Sequence, residues 1–542
     1  GEFAFSDHLR TGDSYLVAVG AQPAPSAQGC VVVNGTGQVG NAEVRDVSVL
    51  CGPSPFTLLA NQPPVSGYLA LLLTDGGVMM QSNADAGVFY KLTPDLNGSY
   101  ANGSWRQLAR PPLGYAPYAG AHVVLADGRV LFVGGEYNNN QYVLPFAPSG
   151  LTNESAVYDP VANSWTMIAA PPGVAYIGDP PSVVMPDGSF IFGSKLGRET
   201  WRLDPASLTW STVPATGKAD NFAEEGFTLL PNGTIFTIDV GNIPHAEHYD
   251  PASAQWISDG NTPVGLTSPT DHPGGLTYGP APARIVGGVN YAAGPTGTYL
   301  PPGEIGPAIL MADGRVFATG SAVAGVTAHT ALYSPGATAT SAGSFVAGPD
   351  FKAGDNAGDA SAALLPNGHV LVAPPSGRFY EFDGTAMSVA AALTSNGGNT
   401  AYFLLPLPSG QALVTGGVTQ VYAPAGAPNP AWAPTISSAP AVVTRGLTYP
   451  VSGTQFNGLS QAASVGDELS ASTNYPLVRI SNAASGHVFY AHTHGHSTMG
   501  VATGSASVST QFDVPASAEV GASTLVVVAN GIASAPVAAT VN

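Results

Sequence analysis

Cysteine is nearly absent: Cys30 and Cys51 are the only two in 542 residues. A disulfide-rich scaffold is therefore excluded as the organiser of the fold. Charge is also scarce, at 9% of the chain, and basic residues are scarcer still, with 16 Lys and Arg against 35 Asp and Glu. A chain with net charge −19 and no basic run makes a poor partner for nucleic acid or an anionic membrane surface. No apolar run is long enough to cross a bilayer as a helix, so no membrane insertion is expected. What is plentiful is turn chemistry. The 67 glycines and 48 prolines interrupt a chain that is 44% hydrophobic, which points to an all-β protein of many short strands rather than to disorder.

The two cysteines flank a pair of alternating runs, CVVVNGTGQVG and AEVRDVSVLC, with a Gly/Asn-rich turn between them. A hairpin brings its ends together, so a Cys30–Cys51 disulfide is expected, with two buried thiols as the alternative. A disulfide implies an oxidising compartment, either secreted or at the cell surface. The chain opens GEFAFSDHL, without Met, and is expected to be a processed or truncated piece of a longer precursor.

One phrase recurs along the chain: an apolar run, a two-residue turn ending in Gly, and a second apolar run. The copies include LALLLTDGGVMMQ, AHVVLADGRVLFVGG, SVVMPDGSFIFG, FTLLPNGTIFTID and AALLPNGHVLVA. The anchors are Gly76, Gly128, Gly188, Gly233, Gly314, Gly368 and Gly410. Asp-Gly and Asn-Gly between apolar runs are the strongest short hairpin signal, and a period of about fifty residues is that of propeller blades. Second hairpins such as AVYDPVANSWTMI, TWRLDPASLTWSTV and EHYDPASAQWISD supply outer strands, with their aromatic residues packed between blades. The expected architecture is a seven-bladed β-propeller over residues 63–430. It is preceded by a short N-terminal β-module over 1–62 and followed by an immunoglobulin-like β-sandwich over 431–542.

These blade phrases, DGRVLFVGGEYN and the VYDP…W outer hairpins, together with the C-terminal strands, resemble the galactose oxidase and glyoxal oxidase family of kelch-type propellers across residues 63–542. The resemblance implies a copper–radical site built from a Cys crosslinked to a Tyr, a Tyr-His pair and a His on a C-terminal loop that reaches up the channel. Aligned on the hairpin glycines, the Cys position falls at Gly67 or Tyr68 and the crosslinked Tyr at Ala119 beside Tyr118. The Tyr-His pair falls at Thr400-Ala401, and only the C-terminal His finds a match, at His494. No copper-radical cofactor is expected, because the sulfur and the equatorial nitrogen are missing.

Residues eight to ten places before each anchor open the innermost strands and line one mouth of the channel. They are Gly67/Tyr68, Tyr118, Asp179, Glu224/Glu225, Glu304, Asp359 and Thr400, with Asp355 and Asp220 near the rim. Asp179, Glu225, Glu304 and Asp359 are candidate acid–base groups, and Tyr68, Tyr118, Glu224 and Asp355 candidate ligand contacts. Converging carboxylates either take up protons or hold a divalent cation: Ca²⁺ with oxygen ligands alone, Zn²⁺ or Mn²⁺ if imidazole joins. The imidazoles would come from HTHGH, where His492, His494 and His496 stand at i, i+2 and i+4 and share one face of an extended strand. The alternative is a polar loop that locks two domains together. The insertion over residues 260–303, containing His272, is a candidate lid or rim.

Two functions remain open on this basis. One is an extracytoplasmic binding or surface-structural module taking a glycan or protein ligand at the acidic mouth. The other is a non-radical enzyme acting on carbohydrate with the acidic ring and His494. The fold alone does not choose between them.

Overall fold

The computed structural model describes residues 3–5, 8–17, 28–33, 36–45, 47–138, 151–270, 273–323, 326–392, 402–466 and 469–542. The turn chemistry read from the sequence operates as expected. All seven anchor glycines have φ between 74° and 90°, a conformation that costs a Cβ-bearing residue about 1 kcal/mol or more. The residue before each is usually Asp or Asn, and its side chain caps the turn by accepting a backbone N–H two residues on. Asp75 accepts from Gly77, Asp127 from Arg129 and Asn232 from Thr234.

Each anchor hairpin forms the inner half of a four-stranded antiparallel sheet. Blade 1 is Gly67–Leu72, Val78–Ser82, Phe89–Thr93 and Ser104–Gln107. Blade 2 is Ala121–Val124, Val130–Val133, Ser155–Asp159 and Ser164–Ile168, and blade 3 is Ser182–Val184, Phe190–Gly193, Thr200–Asp204 and Thr209–Val213. Blade 4 is Thr228–Leu229, Ile235–Ile238, His245–Asp250 and Gln255–Asn261, and blade 5 is Ala308–Leu310, Val316–Thr319, Thr330–Ser334 and Ser344–Ala347. Blade 6 is Ser361–Leu364, Val370–Ala373, Arg378–Phe382 and Met387–Ala392. Blade 7 takes Phe403–Pro406, Ala412–Thr415 and Gln420–Tyr422 from one end of the ring, and its outer strand, Phe56–Leu58, from the other. The hairpin count alone starts the ring at residue 63. The ring in fact begins at Phe56, whose ring packs edge-on against Phe379 and Tyr422 at 5.1 Å each. The outer-strand tryptophans pack between blades as expected. Trp165 of blade 2 meets Phe89 of blade 1, and its indole N–H donates to Ala109 O; Trp210 makes the same bond to Ala169 O.

After the short 3₁₀ turn Pro430–Trp432, nine strands between Thr435 and Val541 form one sheet around Val451, Phe456, Val478, Ile480, Phe512, Leu525 and Val527; eight follow a single path, and Ile532–Ala533 pairs off it with Gly521–Ala529. Ahead of the ring, Gln28–Val33 pairs with Ser48–Pro53 in a register that sets Cys30 opposite Cys51, and the two form a disulfide.

The channel is not empty. A hairpin, Ala463–Val465 and Leu469–Ser470, leaves the C-terminal unit and pairs with Ser361–Leu364 of blade 6, extending that sheet to six strands. Gln461 Oε1 accepts the Leu229 N–H of blade 4 at 2.7 Å, and the Tyr475 hydroxyl donates to Leu72 O of blade 1. Residues 461–466 and 469–475, not the expected HTHGH, enter the channel, and HTHGH lies beneath the ring.

Phe56→Ala is expected to destabilise the protein by about 3–5 kcal/mol, because it removes the buried ring that closes blade 7. Leu58→Ala, at a 48% exposed position on the same strand, is expected to change stability by no more than about 0.5 kcal/mol. Urea unfolding of both variants checks this, and equal losses would mean that Phe56 does not carry the closure.

Candidate functional mouth of the channel

The two ends of the channel differ in kind. The Asx-Gly turns lie at one end, and the C-terminal unit is seated on them. Thr493 N–H donates to Thr74 O of blade 1, His496 N–H to Ala126 O of blade 2 and Met499 N–H to Pro186 O of blade 3. The other end is lined by the residues that enter each innermost strand. There the backbone is strained in a repeated way: Ala119, Glu224 and Asp359, at equivalent positions of blades 2, 4 and 6, have φ of 47°, 57° and 54°. Left-handed non-glycine residues persist only where their surroundings enforce them, and such residues cluster at functional sites.

At this mouth Lys195 is the central group. It lies in the turn after Phe190–Gly193 of blade 3, and its side chain is 1% exposed. Its ammonium donates to Asp179 Oδ2 at 2.5 Å and lies 2.9 Å from Glu224 Oε1, with the Tyr299 ring centroid 6.0 Å away. Burial pulls the lysine down, but Asp179, Glu224 and Glu136 more than offset that pull and hold it charged. Burial pushes the Asp179 carboxyl up, and Lys195 counters it. Glu304, from blade 5, is half-buried and pushed up to about 9, first by burial and then by Asp359 and Glu224. Among the described residues, neither its buried Oε2 nor Asp179 Oδ1 has a hydrogen-bond partner. Asp359 is exposed.

The aromatic side of the mouth continues from these acids. Tyr137 stands opposite Tyr118 in a short antiparallel pair and feels Glu136, Asp179 and Lys195. Tyr118 stacks on Tyr68 with centroids 4.0 Å apart and donates to Asn83 Oδ1 at 2.7 Å. Tyr68, Tyr118, Asp179, Glu224, Glu304 and Asp359 therefore all stand at the mouth. Thr400 and Ala401 lie outside the described residues.

Several sequence candidates belong elsewhere. Glu225 is not at the mouth; it turns into blade 4, where the fully buried Lys218 lies within 3.0 Å of Glu225, 2.5 Å of Asp220, 2.8 Å of Glu247 and 3.4 Å of Asp239. The left-handed Glu224 reverses the chain, so two adjacent acids serve two different lysines. Asp355 is not a rim contact either: it pairs with Arg378 at 2.5 Å and accepts the Tyr380 hydroxyl. His494 does not join the acidic ring, because the strand Val488–His494 lies at the turn end. His492 and His494 share a face, as the period of two requires, and both approach Asp513, at 3.2 Å each. His496 departs from that face because Gly495 has φ 61°; it is buried, bonded to Thr510 Oγ1 at 2.8 Å, and lowered to about 3 by burial. His122 is a core residue, edge-on to Phe132, and His248 is buried against Asp259.

The long insertion forms a strap at the mouth face. Its strands Leu276–Tyr278 and Gly297–Tyr299 pair, as do Arg284–Val286 and Val289–Tyr291. The second pair is anchored on blade 2, where Arg284 meets Glu154 and Asn153 and Tyr291 donates to Ile168 O at 2.6 Å. The strap brings Tyr299 to Lys195, and His272 lies outside the described residues. Lys195, Glu136, Tyr137 and Tyr299 were not found from the sequence. The only signal was that Lys195, in SKLGRET, is one of 16 basic residues and directly follows an inner strand.

The donor set does not fit a copper–radical centre. Both cysteines are joined to each other in the N-terminal hairpin, and the Cys and crosslinked-Tyr positions hold Gly67/Tyr68 and Ala119. At the mouth Lys195 already supplies a cation between carboxylates. Among the described residues, the groups whose geometry could hold a metal are His492–His494–Asp513 and two sets from the Lys218 cluster.

No family model matches the chain, and no curated protein matches it. Among solved structures it is similar to the extracellular domain of a putative one-component system from B. thetaiotaomicron, with TM-score 0.42 and 8% identity over 92% of this chain; it spans 59% of that one. It is also similar to YCF48 from Cyanidioschyzon merolae, with TM-score 0.41 and 11% identity, and to Kuenenia stuttgartiensis hydrazine synthase, with TM-score 0.41 and 12% identity. In both cases 68% of this chain and 98% of the other are covered. At such scores the likenesses carry no argument about activity, and the propeller rests on its own seven sheets.

Lys195→Met is expected to cost about 3–5 kcal/mol, since it leaves Asp179 and Glu224 buried without their cation; urea unfolding reads the loss. Glu304 carries a pH signature. Its carboxyl titrates at 4.5 when unfolded and at about 9 when folded, so between those values the folded state holds the extra proton. Its contribution to stability is full below pH 4.5 and is lost as pH rises through 9. Glu304→Gln is expected to flatten the decline of melting temperature across that window, and an unchanged decline would contradict the assignment.

Proposed function

We propose that the protein is an extracytoplasmic binding module that takes a neutral, polyhydroxylated ligand, a glycan, at this mouth. The observation that carries the reading is the unbroken arc Tyr68–Tyr118–Tyr137–Lys195–Glu224–Glu304–Asp359, which places stacked aromatic rings beside hydrogen-bonding carboxyl groups. Tyrosine faces suit the C–H faces of a sugar ring, and carboxylates accept its hydroxyls. Lys195 offsets the charge of Asp179 and Glu224, and Glu304 is protonated at neutral pH, so the arc attracts a cation less than its acid count implies. The Cys30–Cys51 disulfide supports an oxidising compartment.

In the same reading, the Asx-Gly inner hairpins and tryptophan outer hairpins support a kelch-type propeller of galactose oxidase-like descent. The single core of the C-terminal strands supports an immunoglobulin-like sandwich, and the sheet boundaries support an N-terminal module ahead of Phe56. A second reading rests on Glu304 beside Asp359. A protonated carboxyl near the Asp359 carboxylate is the acid and base pairing that glycoside hydrolysis needs. His494 takes no part in it.

A glycan array probed with the full chain, followed by calorimetry on the ligands found, tests the proposal. Tyr118→Ala is expected to weaken binding at least tenfold, about 1.4 kcal/mol, with the fold intact by circular dichroism. Absence of glycan binding, or equal affinity in Tyr118→Ala and wild type, would overturn it. Cleavage of a bound glycan by wild type but not by Glu304→Gln would favour the hydrolytic reading.

A further inference from the structure

The turn end of the ring holds a second group of side chains, separate from the mouth. Val488–His494 pairs antiparallel with Val508–Asp513, and the register sets His492 directly opposite Asp513 and His494 opposite Gln511. His492 and His494 project from one face with ring centroids 5.4 Å apart. Each turns a different nitrogen to the same carboxylate: His492 Nδ1 lies 3.2 Å from Asp513 Oδ2, and His494 Nε2 lies 3.2 Å from Asp513 Oδ1. All three donor atoms fall within 4.8 Å of one another. Bonds of about 2.0 Å to a tetrahedral ion place ligand atoms about 3.3 Å apart, so each imidazole nitrogen stands at such an edge length from one oxygen of the Asp513 carboxylate.

The surroundings hold these groups in place. The Thr448 hydroxyl donates to Asp513 Oδ1 at 2.5 Å, fixing the carboxylate as outer partners of metal ligands do. His492 is seated against the blade turns: a methyl group on Gly128 would lie 2.8 Å from both His492 Nε2 and the buried Thr74 Oγ1. That leaves Nδ1 as the nitrogen turned to the carboxylate. The side chains of His492, His494 and Asp513 are 18%, 28% and 41% exposed, which opens the outer side to water. Among the described residues no lysine stands among the partners of Asp513, as Lys218 does in the other metal-compatible groups.

We propose that His492, His494 and Asp513 form a site for a divalent first-row transition ion, Zn²⁺ or its close analogues, with water completing the coordination. Two imidazoles and one carboxylate select such ions over Ca²⁺ and Mg²⁺, which take oxygen ligands. The net charge of −19 favours any cation's approach. A bound ion ties Val488–His494 to Val508–Asp513 on the face that carries the ring's turns.

The test is titration of the chelator-treated 542-residue chain with ZnCl₂ by calorimetry, with Co²⁺ absorption as a spectroscopic readout. Wild type is expected to bind one Zn²⁺ per chain and to give the visible bands of low-coordinate Co²⁺. His494→Ala and the near-isosteric Asp513→Asn are expected to weaken Zn²⁺ at least tenfold and to lose the Co²⁺ bands. Glu304→Gln at the mouth, and His329→Ala at an exposed pair with Asp350, are expected to change neither readout. Absence of a stoichiometric site in wild type, or equal binding in wild type and Asp513→Asn, would overturn the proposal and leave the histidines as hydrogen-bond partners of Asp513. Asp513→Asn keeps the shape of the side chain and an oxygen for Thr448, so its result is readable even if His494→Ala folds poorly.

Discussion

The pairing of Ala463–Val465 with Ser361–Leu364 is the contact on which the arrangement of this molecule turns. Seven sheets in a ring leave an axis that their own inner strands do not fill, and unpaired backbone there would be costly. The hairpin from the C-terminal unit fills it and gives blade 6 two further strands. Gln461 and Tyr475 then hold the plug to blades 4 and 1. Because both ends of the hairpin return to the C-terminal unit, filling the axis also seats that unit on the Asx-Gly turns. The opposite mouth is thereby left as the face that presents loops, and the plug reaches it where Gly466 N–H meets Ala360 O beside Asp359.

The same economy of charge governs both buried lysines, with different results. Lys218 is enclosed by four carboxylates inside blade 4 and its side chain has no exposed surface, so its role is to hold strands together. Lys195 is equally buried but stands at the mouth with two acids as direct partners, while Glu304 and Asp359 remain within electrostatic reach. A low-dielectric interior makes an unpaired charge costly, so each lysine fixes its acids in place. At the mouth, that fixed pair sets the background against which Glu304 keeps its proton.

Much of the fold was legible in local chemistry. The Asx-Gly turns need a residue tolerant of positive φ, and Asp75, Asp127 and Asn232 cap the turns from the preceding position. The Trp165 and Trp210 hairpins announced their inter-blade packing. The site was legible only in part. Counting back from each glycine located Asp179, Glu224, Glu304, Asp359, Tyr68 and Tyr118 at the mouth, because inner strands of similar length start at one level. It misplaced Glu225, since one left-handed residue sends neighbours in opposite directions. It also misplaced Asp355, since a rim loop can fold back onto Arg378. Counting could not find Lys195 or Tyr299, which come from loops whose paths are set by packing.

By itself, then, the sequence determined the all-β class, the sevenfold repeat, the Cys30–Cys51 hairpin and the shared face of His492 and His494, because each depends on spacing within one strand or turn. Only the tertiary structure decided that Phe56–Leu58 closes the ring, that the hairpin of Ala463–Val465 and Leu469–Ser470 rather than HTHGH fills the channel, and that Asp513 stands opposite His492. Those outcomes rest on pairing between segments far apart in the chain. Such pairing is chosen by which backbone groups are left unsatisfied once the local elements have formed, and no local pattern encodes that.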